Sequence, residues 1–139
     1  MDRTFVIGKP DAVERGLVGT ILERFERKGL VIVAAEMRKI DADTARRHYA
    51  EHAGKPFFDS LVDFITRSPS MLLVLEGGTD TYRVVRQMMG TTDPAKAEPG
   101  TIRGDLAIEN PENLVHGSDA LESAEREIDL FFPGLSARS

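Results

Sequence analysis

One histidine, His116, stands where its imidazole could meet an anion. It lies in the stretch 113–119 (NLVHGSD), between a short apolar run and the predicted start of a helix. Gly117 follows it, and a residue without a Cβ lets other backbone come close at that point. The free N–H groups and the macrodipole of a helix N-terminus favour anions. An imidazole beside an anion site is what a nucleophile for phosphate would need.

The composition restricts the other chemistry that this chain can carry. It has no cysteine, which excludes disulfides, thiol catalysis and cysteine metal sites, and its three histidines argue against a multi-histidine metal centre. The net charge is −5, from 18 basic and 23 acidic residues, which argues against a general nucleic-acid surface. If the ligand is an anion, the positive charges that bind it must be gathered locally.

Length and hydropathy predict one cytoplasmic domain. The 139 residues suit a single domain over 1–139, which is large enough to bury a core without disulfides. No apolar run approaches the roughly 20 residues needed to span a bilayer. The first residues, MDRT, lack the long apolar core of a signal peptide.

Apolar runs and helical periodicities predict the elements that must position this histidine. The runs at 4–7, 30–37, 71–76 and 114–116 indicate strands. Helices are predicted at about 13–28, from about 41, from 58, from 79 or 80 to 89, and from 119 with Asp119 as its cap. Two helices between the second and third strands leave room for a split βαβ arrangement. That arrangement is a ferredoxin-like α/β sandwich with a four-stranded antiparallel sheet, and the alternative is a doubly wound parallel sheet.

Three side chains near the ends of these elements could bind a ligand, although each has an ordinary structural explanation. Lys9 follows the first strand, where it could be a solvated lysine at a turn. Phe57 could be a core aromatic or a platform on which a nucleobase stacks. Arg86 lies near the predicted end of a helix, where a basic side chain suits the helix dipole. On the residues alone, the ordinary explanations are favoured.

The other two histidines are four residues apart in the predicted polar helix. His48 and His52 would therefore share one helix face. The sequence offers no third ligand beside them, so the spacing favours a partly exposed polar pair over a metal site.

A carboxylate is predicted to point inward from the last helix. Glu127 lies three residues after Ala124 and four before Phe131, and so falls on the apolar stripe of that helix. An inward carboxylate costs stability unless it is hydrogen-bonded. His116 or Ser118, just before the helix, would supply the partner.

The long segment from residue 91 to about 112 shows little periodicity. It contains three prolines and two glycines, and it carries Thr92 and Arg103. Loops beyond about 12–15 residues are uncommon in compact domains and are usually functional or disordered. Because its composition is not of low complexity, we predict an ordered, functional loop.

Five segments together resemble the nucleoside-diphosphate kinase family. They are VIGKPD near the start, GKPFF in the middle, PGTIRGD in the loop, NLVHGSD around the histidine and SAEREI in the last helix. A lone HGSD would be a weak signal, but the five occur in the family's order over nearly the whole chain. The resemblance implies a ferredoxin-like fold, assembly as tetramers or hexamers, and transfer of a γ-phosphate through a phosphohistidine.

The resemblance also implies a role for individual residues. It makes His116 the nucleophile and Phe57 the residue that stacks on the base. The phosphate contacts that it implies are Lys9, Arg86, Thr92 and Arg103. Lys9 would also contact the sugar hydroxyls, together with Asn113. Tyr49, Ser118 and Glu127 would support the histidine.

The chemistry of these residue types agrees with that reaction. An enzyme-bound intermediate implies ping-pong kinetics, and an imidazole with an unperturbed pKa of about 6.5 is mostly neutral at pH 7. Arg86 and Arg103 offer planar forks for phosphate oxygens, and Lys9 offers a point charge. We expect Mg²⁺ to arrive with the nucleotide, because no cluster of carboxylates suggests a cage built by the protein. Stacking without base-edge contacts implies tolerance of all bases, and hydroxyl contacts need not exclude deoxyribose.

Two places differ from the family's usual pattern. Pro111 and Glu112 stand where Gly-Arg is common, which reverses a charge, and Gly8 stands where an apolar residue is usual before Lys9. We predict that activity survives both changes.

Two alternative functions remain besides the phosphotransferase. They are a catalytically silent module of the same fold that binds nucleotide or a protein, and a nucleic-acid-binding protein. The acidic charge disfavours the second of them.

Overall fold

The sheet of the computed structural model, which describes residues 2–137, has four strands. They are β1 (Arg3–Gly8), β2 (Val31–Arg38), β3 (Ser70–Glu76) and β4 (Val115–Gly117). Their order is β2-β3-β1-β4, and each neighbouring pair is antiparallel. The ferredoxin-like α/β sandwich is thereby confirmed. The doubly wound alternative is wrong, because it requires neighbouring strands that run parallel.

The helices of the described residues differ from the predicted pattern in two places, a break near residue 16 and a short helix, α6, inside the segment predicted as a loop. They are α1 (Pro10–Glu14), α2 (Val18–Lys28), α3 (Ala42–His48), α4 (Phe58–Thr66), α5 (Thr81–Met89), α6 (Ile102–Leu106) and α7 (Leu121–Phe131). The single helix predicted over 13–28 is wrong, since Gly16 adopts a left-handed φ of +70° between α1 and α2. Within residues 2–137, no helix is both long enough and apolar enough to cross a membrane.

The sheet carries a separate apolar layer on each face. Along β1, Phe5 and Ile7 point into one layer and Val6 into the other, as the alternation of a strand requires. The first layer includes residues of α3, α4 and α7, and the second includes residues of α1, α2, α5 and α6. Both faces of the central strands are therefore buried, which fixes the register of β1 against its neighbours.

The pairing of β1 with β4 joins two distant parts of the sequence at one end of the sheet. Ile7 lies opposite His116, and the N–H of Lys9 donates to the carbonyl of Leu114 at 2.8 Å. Because Lys9 directly follows β1, this pairing places it beside the segment that carries the histidine.

Candidate active site

His116 sits on the short edge strand β4 with one ring nitrogen engaged. Its Nε2 lies 3.1 Å from each carboxylate oxygen of Glu127, which projects from α7. The imidazole is 27% exposed, so one side of the ring remains accessible. A Cβ at Gly117 would lie 2.9 Å from the end of the flexible Met89 side chain, which would have to shift to make room for it.

Glu127 is a buried carboxylate with both of its predicted partners. The Ser118 hydroxyl donates to Oε1 at 2.6 Å, beside the contact with His116. Burial alone would raise the pKa of Glu127, but the hydrogen bonds and charge of His116 and the bond from Ser118 bring the pKa below its usual value. The carboxylate is therefore ionised at pH 7 and holds the imidazole in one orientation.

Lys9 and Asn113 bind each other at the opposite wall. The Lys9 ammonium donates to Oδ1 of Asn113 and, at 3.2 Å, to the carbonyl of Pro111. The Asn113 amide in turn donates to the carbonyl of Thr92 at 2.9 Å. Burial first, and then the charge of Arg103, lower the pKa of Lys9 to about 8, although Asp11 opposes the shift.

Arg103 uses its planar fork to hold three carbonyls from two backbone segments, one at Gly90 and one at residues 113–115. Its Nε, Nη1 and Nη2 donate to the carbonyls of Asn113, Gly90 and Val115 at 3.2, 2.9 and 2.6 Å. The residue is only 5% exposed, and burial, followed by the charge of Arg86, lowers the pKa of Arg103 to about 10. The loop predicted to be functional is thus pinned to the strand that carries the histidine.

Asp11 is a structural support that the sequence prediction missed. Its Oδ2 accepts a hydrogen bond at 2.9 Å from the N–H of Leu114, and the residue is 1% exposed. Leu114 has a left-handed φ of +72°, which is costly for a residue with a branched side chain. The buried carboxylate therefore stabilises the strained turn from which Asn113 and Val115 project. The only signal for this role was an acidic residue in the KPD segment.

A cavity of about 840 Å³ connects these walls. Nine of the ten predicted site residues line it: Lys9, Tyr49, Phe57, Arg86, Thr92, Arg103, Asn113, His116 and Glu127. Ser118, the tenth, is buried behind Glu127. Three basic side chains of the predicted set, Lys9, Arg86 and Arg103, therefore gather on one pocket of an acidic protein, as an anionic ligand would require. The lining also includes Asp119 and Arg126, which were not predicted to contribute.

Phe57 lies at the mouth of this cavity rather than in the core. It precedes α4 and is 45% exposed, so the alternative of a buried core aromatic is wrong. His52 packs against its ring, with the centroids 5.3 Å apart, and the Lys55 ammonium lies 5.8 Å from the ring centre. An exposed aromatic face at a pocket entrance is typical of a stacking surface.

Two further predictions near the site are wrong. His48 is 4% exposed rather than partly exposed, because α3 ends at this residue and turns its ring toward His116 instead of aligning it with His52. Burial first, and then the charge of His116, lower the pKa of His48 to about 3. Asp119 does not cap α7, which begins after Ala120 without a side-chain cap. Instead the Asp119 carboxylate accepts a hydrogen bond from the hydroxyl of Ser123.

The unusual residues Pro111 and Glu112 both have partners. The Pro111 carbonyl accepts from Lys9, as described above, and the Glu112 carboxylate pairs with Arg67 at 2.8 Å. Arg67 also binds Glu14 of α1 at 2.7 Å. The reversed charge at this position therefore joins an exposed ion-pair network.

This combination of fold and site is typical of enzymes that handle phosphorylated substrates. A sequence model described as nucleoside diphosphate kinase matches residues 2–136. A nucleoside diphosphate kinase of Nocardioides sp. (strain ATCC BAA-499 / JS614) is 61% identical over 133 residues, 96% of this chain and 98% of the relative. One of Frankia casuarinae is 57% identical over 136 residues, 98% of each chain.

The solved structures give the same result. A halophilic nucleoside diphosphate kinase of Halobacterium salinarum, in complex with CDP, superposes with a TM-score of 0.89 at 53% identity. The match covers 95% of this chain and 88% of that chain. The chain therefore belongs to the nucleoside diphosphate kinase family. It is a phosphotransferase that passes the terminal phosphate of a nucleoside triphosphate to a nucleoside diphosphate.

Proposed function

We propose that Nδ1 of His116 carries the phosphate between the two nucleotides. The observation that carries this proposal is the hydrogen-bonded chain Ser118–Glu127–His116, which engages Nε2. Among residues 2–137, Nδ1 of this partly exposed ring has no hydrogen-bond partner. If Nε2 bears the ring proton toward Glu127, the lone pair resides on Nδ1. The carboxylate would then fix both the tautomer and the orientation of the nucleophile.

The transfer would proceed in two symmetrical displacements. The Nδ1 lone pair forms a bond to the γ-phosphorus as the bond from that phosphorus to the β-phosphate oxygen breaks, and the electron pair leaves with the nucleoside diphosphate. A second diphosphate then attacks the phosphohistidine through its terminal oxygen and restores the neutral imidazole. Glu127 would stabilise the positive charge that develops on the ring when the N–P bond forms.

The cations of the pocket would bind the phosphates. Arg86 is exposed on the cavity wall, and its Nη1 lies 3.5 Å from the carbonyl of Gly117. Its fork would meet phosphate oxygens next to the nucleophile, and Lys9 and Thr92 would approach them from the other wall. Three of the five N–H groups of Arg103 are used by backbone carbonyls, so two remain for phosphate.

The rest of the nucleotide would lie toward the cavity entrance. Phe57 would stack on the base, and Lys9 with Asn113 would bind the sugar hydroxyls. Stacking on an exposed ring uses the π-face that every base offers, which supports broad base tolerance.

Mg²⁺ would reach the site with the nucleotide. It is a small, hard cation that prefers oxygen ligands and usually keeps several waters. Three carboxylates line the pocket among the described residues. Glu127 is engaged by His116 and Ser118, Asp119 is engaged by Ser123, and Glu51 lies 3.6 Å from Nε2 of His52. The phosphate oxygens would therefore be its main ligands, and its charge would offset theirs during transfer.

Incubation with γ-labelled nucleoside triphosphate and Mg²⁺ tests this proposal. We expect one labelled phosphate per chain, acid-labile and alkali-stable, which is released to any added nucleoside diphosphate. Chelation of Mg²⁺ should prevent the labelling. Nucleotide binding without labelling would instead support the silent module, and salt-dependent DNA binding in a filter assay would favour the nucleic-acid alternative.

We also propose that a single domain over residues 1–139 assembles into a tetramer or hexamer. β2 is an edge strand, and its Val31 and Met37 are 54% and 47% exposed. An apolar edge with unpaired backbone groups is a ready surface for another chain. Light scattering with calibrated mass would distinguish the assemblies from a monomer. The cytoplasmic location stays a prediction, which cell fractionation would test.

Replacing Glu127 by Gln should slow phosphoryl transfer without abolishing it. The amide keeps the size of the side chain but loses the charge that supports the His116 ring. Loss of a charge-assisted hydrogen bond is worth about 1.5–3 kcal/mol, so we expect kcat to fall about 10- to 100-fold. Stopped-flow measurement of phosphoenzyme formation would measure this step directly. An unchanged rate would mean that the carboxylate is only structural.

The pH dependence of kcat/KM should reflect the lowered pKa of Lys9. Because its pKa is lowered to about 8 in the free protein, kcat/KM should fall as the pH rises through about 8 and the ammonium loses its proton. In the nucleotide complex, the phosphates favour the ammonium, so the fall in kcat should move to higher pH. Lys9→Arg should remove this alkaline fall while lowering the rate. A kcat/KM that stays level to about pH 9 contradicts the assignment.

A further inference from the structure

His48 is a buried histidine that the proposed reaction does not use. Its ring stands edge-on to that of His116, at an interplanar angle of 86° and with the centroids 4.8 Å apart. Tyr49 and Phe131 pack against the same ring, with centroids at 4.7 and 5.5 Å. The imidazole is thus held in a fixed position behind the nucleophile.

The Nδ1 atom of His48 has no hydrogen-bond partner within residues 2–137. The side chain is 2% exposed, and this nitrogen faces Oε2 of Glu127 at 4.0 Å, which is too far for a hydrogen bond. Buried polar groups are almost always paired, and an unpaired one requires an explanation. A nitrogen aimed at a carboxylate from beyond hydrogen-bond distance is suited to share a cation with it.

His116 completes the arrangement. Its Nε2 lies 3.1 Å from Glu127, and one ligand atom from each of the three side chains lies within 4.8 Å of the other two. In a tetrahedral zinc site, bonds of about 2.0–2.2 Å separate neighbouring ligand atoms by about 3.3–3.6 Å. Small side-chain movements would therefore bring all three atoms onto one ion.

We propose that His48, His116 and Glu127 form an inhibitory site for a borderline divalent metal ion of the Zn²⁺ type. Two imidazoles and one carboxylate, with water in the fourth position, are ligands that Zn²⁺ accepts. Mg²⁺ prefers oxygen ligands and would not compete well there. The site thus differs in ligand chemistry from the Mg²⁺ that accompanies the nucleotide.

The inhibition follows from the tautomer of His116 and rests on its proposed role as the nucleophile. A metal on Nε2 uses the lone pair of that nitrogen and displaces its proton, which is released to solvent. The neutral ring then takes a proton at Nδ1, so no lone pair faces the γ-phosphorus. Proton and charge balance are kept, and removal of the metal restores the reactive tautomer.

Arg126 is the charged group that opposes metal binding. Its Nη2 lies 3.6 Å from Oε2 of Glu127, but its side chain is 50% exposed and can turn toward solvent. The partly exposed edge of His116 offers the ion a route from the cavity. Replacing Arg126 by Gln should therefore tighten metal binding, whereas replacing one of the three ligands should weaken it.

Cobalt absorption of the nucleotide-free protein tests the site directly. Co²⁺ replaces Zn²⁺ and shows visible d–d bands in four-coordinate sites. The chain has no cysteine, and His52 is its one histidine outside the proposed site that could compete for the ion. We expect the wild type to give these bands and Zn²⁺ to remove them. His48→Phe, which keeps a buried aromatic ring, and Glu127→Gln should each weaken binding at least about tenfold. His52→Phe is the matched control and should bind as the wild type does.

Phosphoenzyme formation then tests the inhibition. With saturating Mg²⁺–nucleotide, Zn²⁺ should block labelling of the wild type and of His52→Phe, and His48→Phe should need at least about tenfold more. Equal Co²⁺ binding by His48→Phe and His52→Phe would overturn the site. Tight binding that leaves labelling unchanged would overturn the inhibition. If labelling is absent without Zn²⁺, the proposed nucleophile fails, and the absorption bands still decide whether the site exists.

Discussion

His116→Ala should abolish phosphoryl transfer and leave nucleotide binding in place. The substitution removes the only atom that we assign to the covalent intermediate, so the loss of kcat should exceed about 10⁴-fold. The groups assigned to the base, the sugar and the phosphates lie on other elements and remain. Glu127 loses one of its two donors, so the free energy of unfolding should fall by only about 1–2 kcal/mol. Isothermal titration with nucleoside diphosphate and labelling with γ-labelled triphosphate measure the two functions separately.

The matched control for this experiment is His52→Ala. His52 is another histidine near the cavity, but it contacts Phe57 and Lys55 rather than the histidine–carboxylate pair. We expect this variant to take up label at the wild-type stoichiometry. Label that persists in His116→Ala would show that a different residue carries the phosphate. Loss of both binding and labelling, with the fold intact by circular dichroism, would show that His116 also holds the nucleotide.

The strands of the sheet could be predicted because each is a short run rich in apolar residues. Phe5, Val6 and Ile7 form a continuous apolar run, as expected when both faces of a strand are buried. Glu127 could also be located, because a charged residue on an apolar helical stripe must find a partner. Here local periodicity and burial give the same answer, and tertiary structure does not change it.

The walls of the site could not be derived from spacing. Lys9 reaches Asn113 only because β1 pairs with β4, and no local pattern specifies which strands become neighbours. Gly16 interrupts a helix whose apolar periodicity continues on both sides of it. His48 could not be recognised either, because its position depends on where α3 ends and on the packing of Phe131 beneath it. The family resemblance identified Lys9, but it gave His48 no role.

Arg103 shows most clearly what the structure adds to the sequence. The resemblance made it a phosphate contact, and the sequence placed it in a loop of 22 residues with little periodicity, from Thr91 to Glu112. In the structure, its guanidinium is buried and bound to three carbonyls, those of Gly90, Asn113 and Val115. Buried carbonyls must be paired, and a planar fork can satisfy several of them in different directions. We therefore expect Arg103 to support the site as well as bind the substrate.

Arg103→Lys should accordingly reduce stability and activity together. An ammonium keeps the charge but cannot reach the carbonyls of Gly90, Asn113 and Val115 at once, so at least one is left unpaired. Each unsatisfied buried group costs about 1–3 kcal/mol, and we expect a total loss of about 3 kcal/mol in urea unfolding. Displacement of the loop and of the strand that carries His116 should also lower kcat/KM by about 10²–10³-fold.

Arg24→Lys is the control that separates this fork from an ordinary arginine contact. Arg24 also donates to a carbonyl and pairs with a carboxylate, those of Gly100 and Asp105, but its side chain is 29% exposed. Solvent can replace those bonds, so the change should cost about 1 kcal/mol or less and leave the rate unaltered. If Arg103→Lys lost activity but no stability, the contact of its planar fork with the phosphates would be the whole of its role. If the two variants were equally mild, the three carbonyls would not need the fork, and the loop must be held by other contacts.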